Sequence, residues 1–386
     1  MFNIKTDLQV LIRVPNQTEL FFNIDNWDEA NWGDDADDGF EYVNFAHRCS
    51  EIQTSNGVTA IGTTIDLGAK EGTVILVAQD EDPLDGRKVI IGTQLWLQVD
   101  VPVFGEIVWF KATVKGLQRD ADSNGLNRVV LTLGDQIEQL TSSEVTISEI
   151  ADQTFYARWQ SILNSVLGDV PISLIYAVPT YAQFTFPGID IFETALLDTV
   201  NETMAGELGW LVTNNQGEIF PYAHGALLQE LGIPQWEIHQ DVTDHHIPPT
   251  YVNQGSDSQS VINTLNTSLT WDPGTVVSVV DTDSRDIVGA KTADIEVNLA
   301  DEANLIAFAN YALTLSDQQN IRSITFDCFD HRTQKLYDLW QFQPATCVRV
   351  NLQAGQINVD ENYLVSKIHH QITPETWQTD LELWRN

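Results

Sequence analysis

The sequence predicts a mainly β, α+β protein in which two β-rich flanks enclose a small α/β unit. Three observations carry this reading. Short apolar runs with period-two alternation fill residues 1 to about 145, helical period takes over between about 148 and 240, and strand character returns from about Val261. At 386 residues, 43% of them hydrophobic and 19% charged, the chain is globular in composition and long enough for two or three domains.

The first flank contains Leu8 to Val14, Thr18 to Ile24, Thr73 to Gln79, Thr93 to Val99, Gly105 to Leu117 and Asn127 to Asp135, all β-rich and separated by Gly- and Asn-bearing turns. That rhythm fits a barrel or a sandwich. In "TQLWLQV", Leu95, Leu97 and Val99 alternate with Gln94, Trp96 and Gln98, which gives one apolar face with a tryptophan on the wetter side.

The period then changes. Phe155, Trp159, Ile162, Leu163 and Val166 share one helical face, with Thr154 as N-cap and Gly168 as stop. A second helix is expected over Phe192 to Ala205, with Leu196, Val200 and Met204 on its stripe. "GWLVTNNQGEIFPYA" reads as a hairpin, because Asn-Asn-Gln-Gly supplies turn conformers between two apolar strands. In the second flank, residues 301–315 form an inserted helix with Leu305, Ala309, Ala312 and Leu313 on one face. Strands are expected at Arg322 to Asp330, Thr346 to Leu352, Tyr363 to Ile372 and Thr379 to Trp384.

The charge is extreme: 55 acidic against 19 basic residues give −36. Such a surface repels phosphate, so the chain is expected to be a poor nucleic-acid binder. The charge fits either a saline habitat or a wall that must not hold DNA. Cys49, Cys328 and Cys347 lie far apart with no paired spacing, so reduced thiols are expected rather than disulfides or a zinc site. The opening "MFNIKTDLQVLIRV" lacks a basic stretch followed by an apolar core, and no run of 18 apolar residues occurs. Neither a leader peptide nor membrane insertion is expected.

Candidate chemistry is sparse. The pairs His245-His246 and His369-His370 would point adjacent imidazoles to opposite faces of a strand. "DADSNG" places Asp120, Asp122 and Asn124 at alternate positions before Gly125, like the first half of a calcium loop. The completing glutamate is missing, since Leu131 stands there, and a hairpin tip calls for the same residue types. The acidic stretch from Asn26 to Glu41 holds seven carboxylates, to be read as a solvated loop or as a protein-contact loop anchored by Trp27, Trp32 and Phe40. No nucleophile elbow, phosphate loop, dinucleotide fingerprint or H-E-x-x-H helix is present, so neither an enzyme nor a cofactor is expected.

Taken in order, "TVILVAQDEDPLDG", "VIIGTQLWLQV", "PVFGEIVWFKATV", "RVVLTLGDQIEQL", "ARWQSILNSV" and "GELGWLVTNNQGEIFPYAHG" form a recognisable series. The series ends with "SVVDTDSRDIVGAKTADIEVNLADEANLIAFANYALTL" and "YLVSKIHHQITPETWQTDLELW". Over most of residues 70 to 386 the chain resembles minor tail proteins of long-tailed bacteriophages, the tail-tip hub class related to contractile-phage baseplate hubs. His370, Ile372, Thr373, Pro374 and Trp377 form its most specific motif. The first 65 residues match poorly, and the acidic stretch reads as an insertion of this lineage.

The resemblance implies two antiparallel β-barrel domains, residues 1–147 and 246–386, joined by a small α/β domain at 148–245. It makes His370, Thr373, Pro374 and Trp377 architectural, with His370 hydrogen-bonded within its strand, a turn at Thr373-Pro374 and Trp377 capping the core. It implies a homotrimeric ring around the tail channel that adapts a six-fold tail to a three-fold tip. The expected partners are a distal tail protein hexamer, the tape-measure protein, a central tip or fibre protein, and genomic DNA only in transit. The expected place is the virion tail tip, after assembly in the host cytoplasm. The competing reading is a carbohydrate- or receptor-binding β module of a phage tail, hinted at by Trp96 and Trp109 on different strands.

Overall fold

The computed structural model describes residues 8–15, 40–61, 64–66, 70–101, 105–134, 137, 144–147, 152–165, 172–188, 191–240, 246–255, 262–314, 320–327, 342–355 and 357–385. Its centre is a 14-stranded sheet, antiparallel except around Trp236–His239, which pairs in parallel with both Cys347–Ala354 and His246–Ile247. One half of the sheet comes from the N-terminal flank. From the middle outward it runs Cys49–Gly57, Glu71–Gln79, Leu126–Gly134, Gly105–Ala121, Gln94–Val101, Leu8–Pro15 and Phe40–Asn44. The other half comes from Trp236 onward.

The halves meet on one strand, Ile357–Ile372, which is 16 residues long. One side of it pairs with Trp377–Trp384. On the other side its first part pairs with Cys347–Ala354, and its last part, Lys367 to Ile372, pairs with Ile52 to Gly57. This corrects the expectation of two barrels. Each barrel would need its own edges to close, and here those edges are spent on each other, so the described ladders form a continuous sheet with no closed barrel. One apolar core runs beneath both halves, from Leu8, Val10 and Ile12 through Leu97 and Phe110 to Ile368, Trp377 and Leu381.

The close approach at the junction needs glycine. Gly57 sits at φ 124°, and a Cβ there would lie 2.1 Å from the carbonyl oxygen of Ser366. No other residue adopts that backbone at so small a separation.

Three smaller cores surround the sheet. Helix Phe155–Ser165 buries Phe155, Trp159 and Ile162, and Thr154 Oγ1 accepts from the Ala157 amide at 3.3 Å. Helix Leu196–Glu207 buries Leu196, Val200 and Met204. It begins later than its stripe suggests, because Ile191–Ala195 is a strand paired with Glu144–Ile147. The hairpin of Trp210–Thr213 and Ile219–Tyr222 turns at Gly217, φ 84°, with Asn214 Oδ1 accepting from the amides of Gln216 and Glu218. Helix Glu302–Thr314, capped by Asp301, covers one face of a three-stranded sheet of Asp272–Val280, Thr264–Leu269 and Thr292–Val297. A short helix, Thr282–Val288, where no helix was expected, lies between Asp272–Val280 and Thr292–Val297. The strand expected at Thr18 to Ile24 lies outside the described residues. Among the described residues no helix is long and apolar enough to cross a membrane.

Candidate functional site

The C-terminal hairpin is where the sheet halves are tied together. Ile372 faces Trp377 across it, and the Thr373 amide donates to the Thr376 carbonyl at 2.8 Å. Thr373 Oγ1 also accepts from the Thr376 amide at 3.0 Å, and Pro374 lies within the turn, where its missing N–H is not required. Two residues back from the turn, His370 lies opposite Thr379 on one neighbouring strand and Thr54 on the other. All three side chains are buried.

His370 is held neutral. Its Nδ1 lies 2.9 Å from Thr379 Oγ1 and accepts from Trp377 Nε1–H at 3.4 Å, so the proton of the neutral ring sits on Nε2. Burial pushes its pKa down to about 3, and the nearby His369 and Lys70 act in the same direction. Trp109, from the N-terminal half, stands edge-on to this imidazole at 5.0 Å and 5.9 Å from the ring of Trp377. Three strands from both flanks thus share one aromatic knot.

A second set of contacts docks the hairpin 210–222 onto the sheet. Asn56 Nδ2 donates to the Thr213 carbonyl at 3.2 Å, and Lys70 Nζ to the Asn214 carbonyl at 3.3 Å. The Lys70 ammonium, on a fully buried side chain, lies 4.7 Å from the centre of the Phe110 ring. Trp210 meets Trp384 at 5.3 Å on the same side.

The residues marked as a half calcium loop occupy the tip of the hairpin between Gly105–Ala121 and Leu126–Gly134. Asp122 Oδ1 accepts from the amides of Asn124 and Leu126 at 2.8 and 2.9 Å, which holds its carboxyl below the usual range. Asp120 accepts from Gln118 Nε2 at 3.1 Å. Gly125 has φ 79° and faces Asp80, and Leu131 is buried in the core. Among the described residues no three His, Cys, Asp or Glu side chains gather to hold a metal.

His369 faces Asp380 and Ser55 in the ladder. His246 lies in a two-residue strand, and His245 is outside the described residues, as are Cys328 and residues 26–39 of the acidic stretch. Phe40 is half exposed beneath the Arg13 guanidinium, and Glu41 forms an ion pair with Arg87. Burial pushes the thiols of Cys49 and Cys347 up to about 12. Trp109 is 3% exposed, so it makes no outward row with Trp96, whose ring lies 4.4 Å from that of Tyr42 and beneath the Lys111 ammonium.

Sequence reasoning missed a buried polar joint. Glu207, at the end of its helix, accepts from the amides of Gln183 at 2.7 Å and Phe184 at 3.3 Å. Burial pushes its pKa up to about 8 even though both amides favour the carboxylate. Nearby, His224 opens the helix His224–Leu231, and its Nδ1 donates to the Leu208 carbonyl at 3.1 Å. Its ring stands edge-on to Tyr311 at 4.5 Å, and burial lowers its pKa to about 4. That helix carries no side-chain cap, so the usual start signal was missing.

No protein-family model matches the sequence, and neither does any curated protein. Solved structures do match. The tail protein from Neisseria meningitidis MC58 superposes with a TM-score of 0.62 at 11% identity, over 98% of this chain and 97% of that one. The 43 kDa tail protein of prophage MuSo2 from Shewanella oneidensis gives 0.62 at 9% identity, over 98% and 96%. A chain of the Francisella PdpA–VgrG complex gives 0.52 at 8% identity, over 99% of this chain and 59% of that one. At these identities the likeness is one of fold, and the fold of this chain is that of these tail proteins.

Proposed function

We propose that the protein is a structural component of a phage tail, built into the tail tip as a hub. Three copies form a ring around the tail channel and adapt a six-fold tail to a three-fold tip. The supporting observation is the likeness of fold, over 98% of this chain in each case, to two tail proteins, one of them from a prophage. The single sheet that joins both flanks along Ile357–Ile372 suits a load-bearing part, since neither half can swing independently of the other. In this reading the upper rim meets a distal tail protein hexamer and the lower rim a central tip or fibre protein. Tape-measure protein and then DNA pass through, and a wall drawn from a chain of net charge −36 offers the genome no counter-ion.

The decisive experiment is to label intact virions with an antibody against this chain and image them. Gold at the distal end of the tail is expected, and label on the head or along the tube would overturn the placement. The purified protein is expected to clear no zone on a cell-wall zymogram, because the hydroxyl–imidazole pair of Thr379 and His370 is buried in the aromatic knot, away from any substrate.

A further inference from the structure

The three-stranded sheet is covered on one face by helix Glu302–Thr314 and ends on one side in a free edge. That edge is Asp272–Val280, which among the described residues pairs only with Thr264–Leu269. Its unpaired backbone groups are a template for another strand. The side chains around it are apolar and open: Val276 is 60% exposed, Val280 37%, Trp271 50%, and Ile287 on the adjoining short helix 83%.

What distinguishes this edge is charge. From Pro273 to Val280 there is no ionisable side chain, in a chain with 55 acidic residues. The other free edges of the two larger sheets are unsuited to pairing. Phe40–Asn44 carries Glu41, and Thr292–Val297 carries Asp294 and Glu296. Tyr251–Gly255 is uncharged but slips register between Asn253 and Gln254, and His246–Ile247 has two residues. Natural edges are guarded by charges, bulges or shortness, and Asp272–Val280 lacks all three over its regular stretch from Val276 onward.

We propose that this edge receives a β-strand from a second copy of the chain, extending the three-stranded sheet across the contact between neighbours. The inference rests on the ring reading above, and the charge balance selects the occupant. Two copies of net charge −36 repel wherever carboxylates face each other, so they meet along the stretch between Asp272 and Asp281, where none is present. Edge-to-edge pairing also satisfies the backbone groups without requiring side-chain complementarity.

The test uses the full chain and two substitutions at an open position. Val276→Glu restores the kind of guard found on Thr292–Val297, and Val276→Thr keeps a β-branched, uncharged side chain. Native mass spectrometry and hydrogen exchange are followed over a concentration series. The wild type is expected to associate, with peptides covering 272–280 gaining protection as it does so. Val276→Glu should shift the association midpoint upward by at least about tenfold, and Val276→Thr should leave it near the wild-type value. The proposal is overturned if Val276→Glu associates like the wild type. It is equally overturned if the wild type associates while 272–280 exchanges as in the monomer, or remains monomeric throughout. Gold at the tail tip together with any of those results would remove this contact and leave the hub placement standing.

Discussion

Replacing Glu207 by glutamine should make the protein more stable at pH 8 and should cancel part of its pH dependence. Glu207 is fully buried, and its carboxyl gives up its proton only at about pH 8, against an ordinary 4.5. The unfolded chain therefore releases a proton, between those two values, that the native state retains. Stability is fully present below pH 4.5 and falls by about 1.4 kcal/mol for each pH unit above it, levelling off above about pH 8. Over the whole interval the loss approaches ~5 kcal/mol, a substantial share of a domain's net stability. Glutamine never ionises, and its carbonyl oxygen still accepts from the Gln183 amide. It forfeits only the longer bond from Phe184, at a cost of about 1 kcal/mol. The wild type should thus be slightly ahead at pH 5, and Glu207→Gln clearly ahead at pH 8. Urea titrations of both proteins at pH 5, 6, 7 and 8 measure the difference, in which the contributions of the other carboxylates cancel. Parallel profiles, or a variant that falls further behind as pH rises, would refute the reasoning.

Trp377→Ala should cost ~3–5 kcal/mol, because it empties the centre of the knot with Trp109 and His370, and a lower urea midpoint would register it. Gly57→Ala should destabilise where Gly→Ala often helps, since it forces a left-handed φ and a clash with Ser366; an unchanged melting temperature would count against the junction described above. His370 adds an acid limb: with its pKa pushed down to about 3, stability present above pH 6.5 is lost as pH falls through 3, and His370→Gln should flatten that limb. Millimolar calcium should move the melting temperature by no more than about a degree, because Asp122 is occupied by turn amides; a large rise would restore Asp120, Asp122 and Asn124 as ligands.

The elements legible in the sequence are those whose signals are local. Helices Phe155–Ser165 and Glu302–Thr314 have an apolar stripe and a side-chain cap, at Thr154 and Asp301, and both stand where periodicity puts them. Helix Leu196–Glu207 begins four residues later than its stripe suggests, because Phe192 extends that stripe while the β-preferring Ile191 and Thr194 pair with Ile147 and Val145. Thr282–Val288 was missed although Asp281 caps it through the amides of Asp283 and Ser284. Seven residues are too few for a stripe to declare itself.

The junction was illegible for a different reason. Cys49–Gly57 reads "CSEIQTSNG", too polar to stand out as a strand, yet Ile52, Thr54 and Asn56 point inward. Their polarity is the signature of the role: Thr54 faces His370, and Asn56 holds the hairpin 210–222 by the Thr213 carbonyl. A strand whose inward groups meet such distant segments, with Asn56 bonded to Thr213, 157 residues on, and Thr54 opposite His370, cannot be recognised from its own period, because the partners that make burial of those groups affordable are not in the window. The same logic accounts for the barrels. Each flank carries enough alternating strands to suggest closure, and alternation says which face of a strand is buried. It does not say which edge finds a neighbour. That choice falls to Gly57, the residue that allows Cys49–Gly57 to lie against Lys367 to Ile372, and a single glycine has no period to detect.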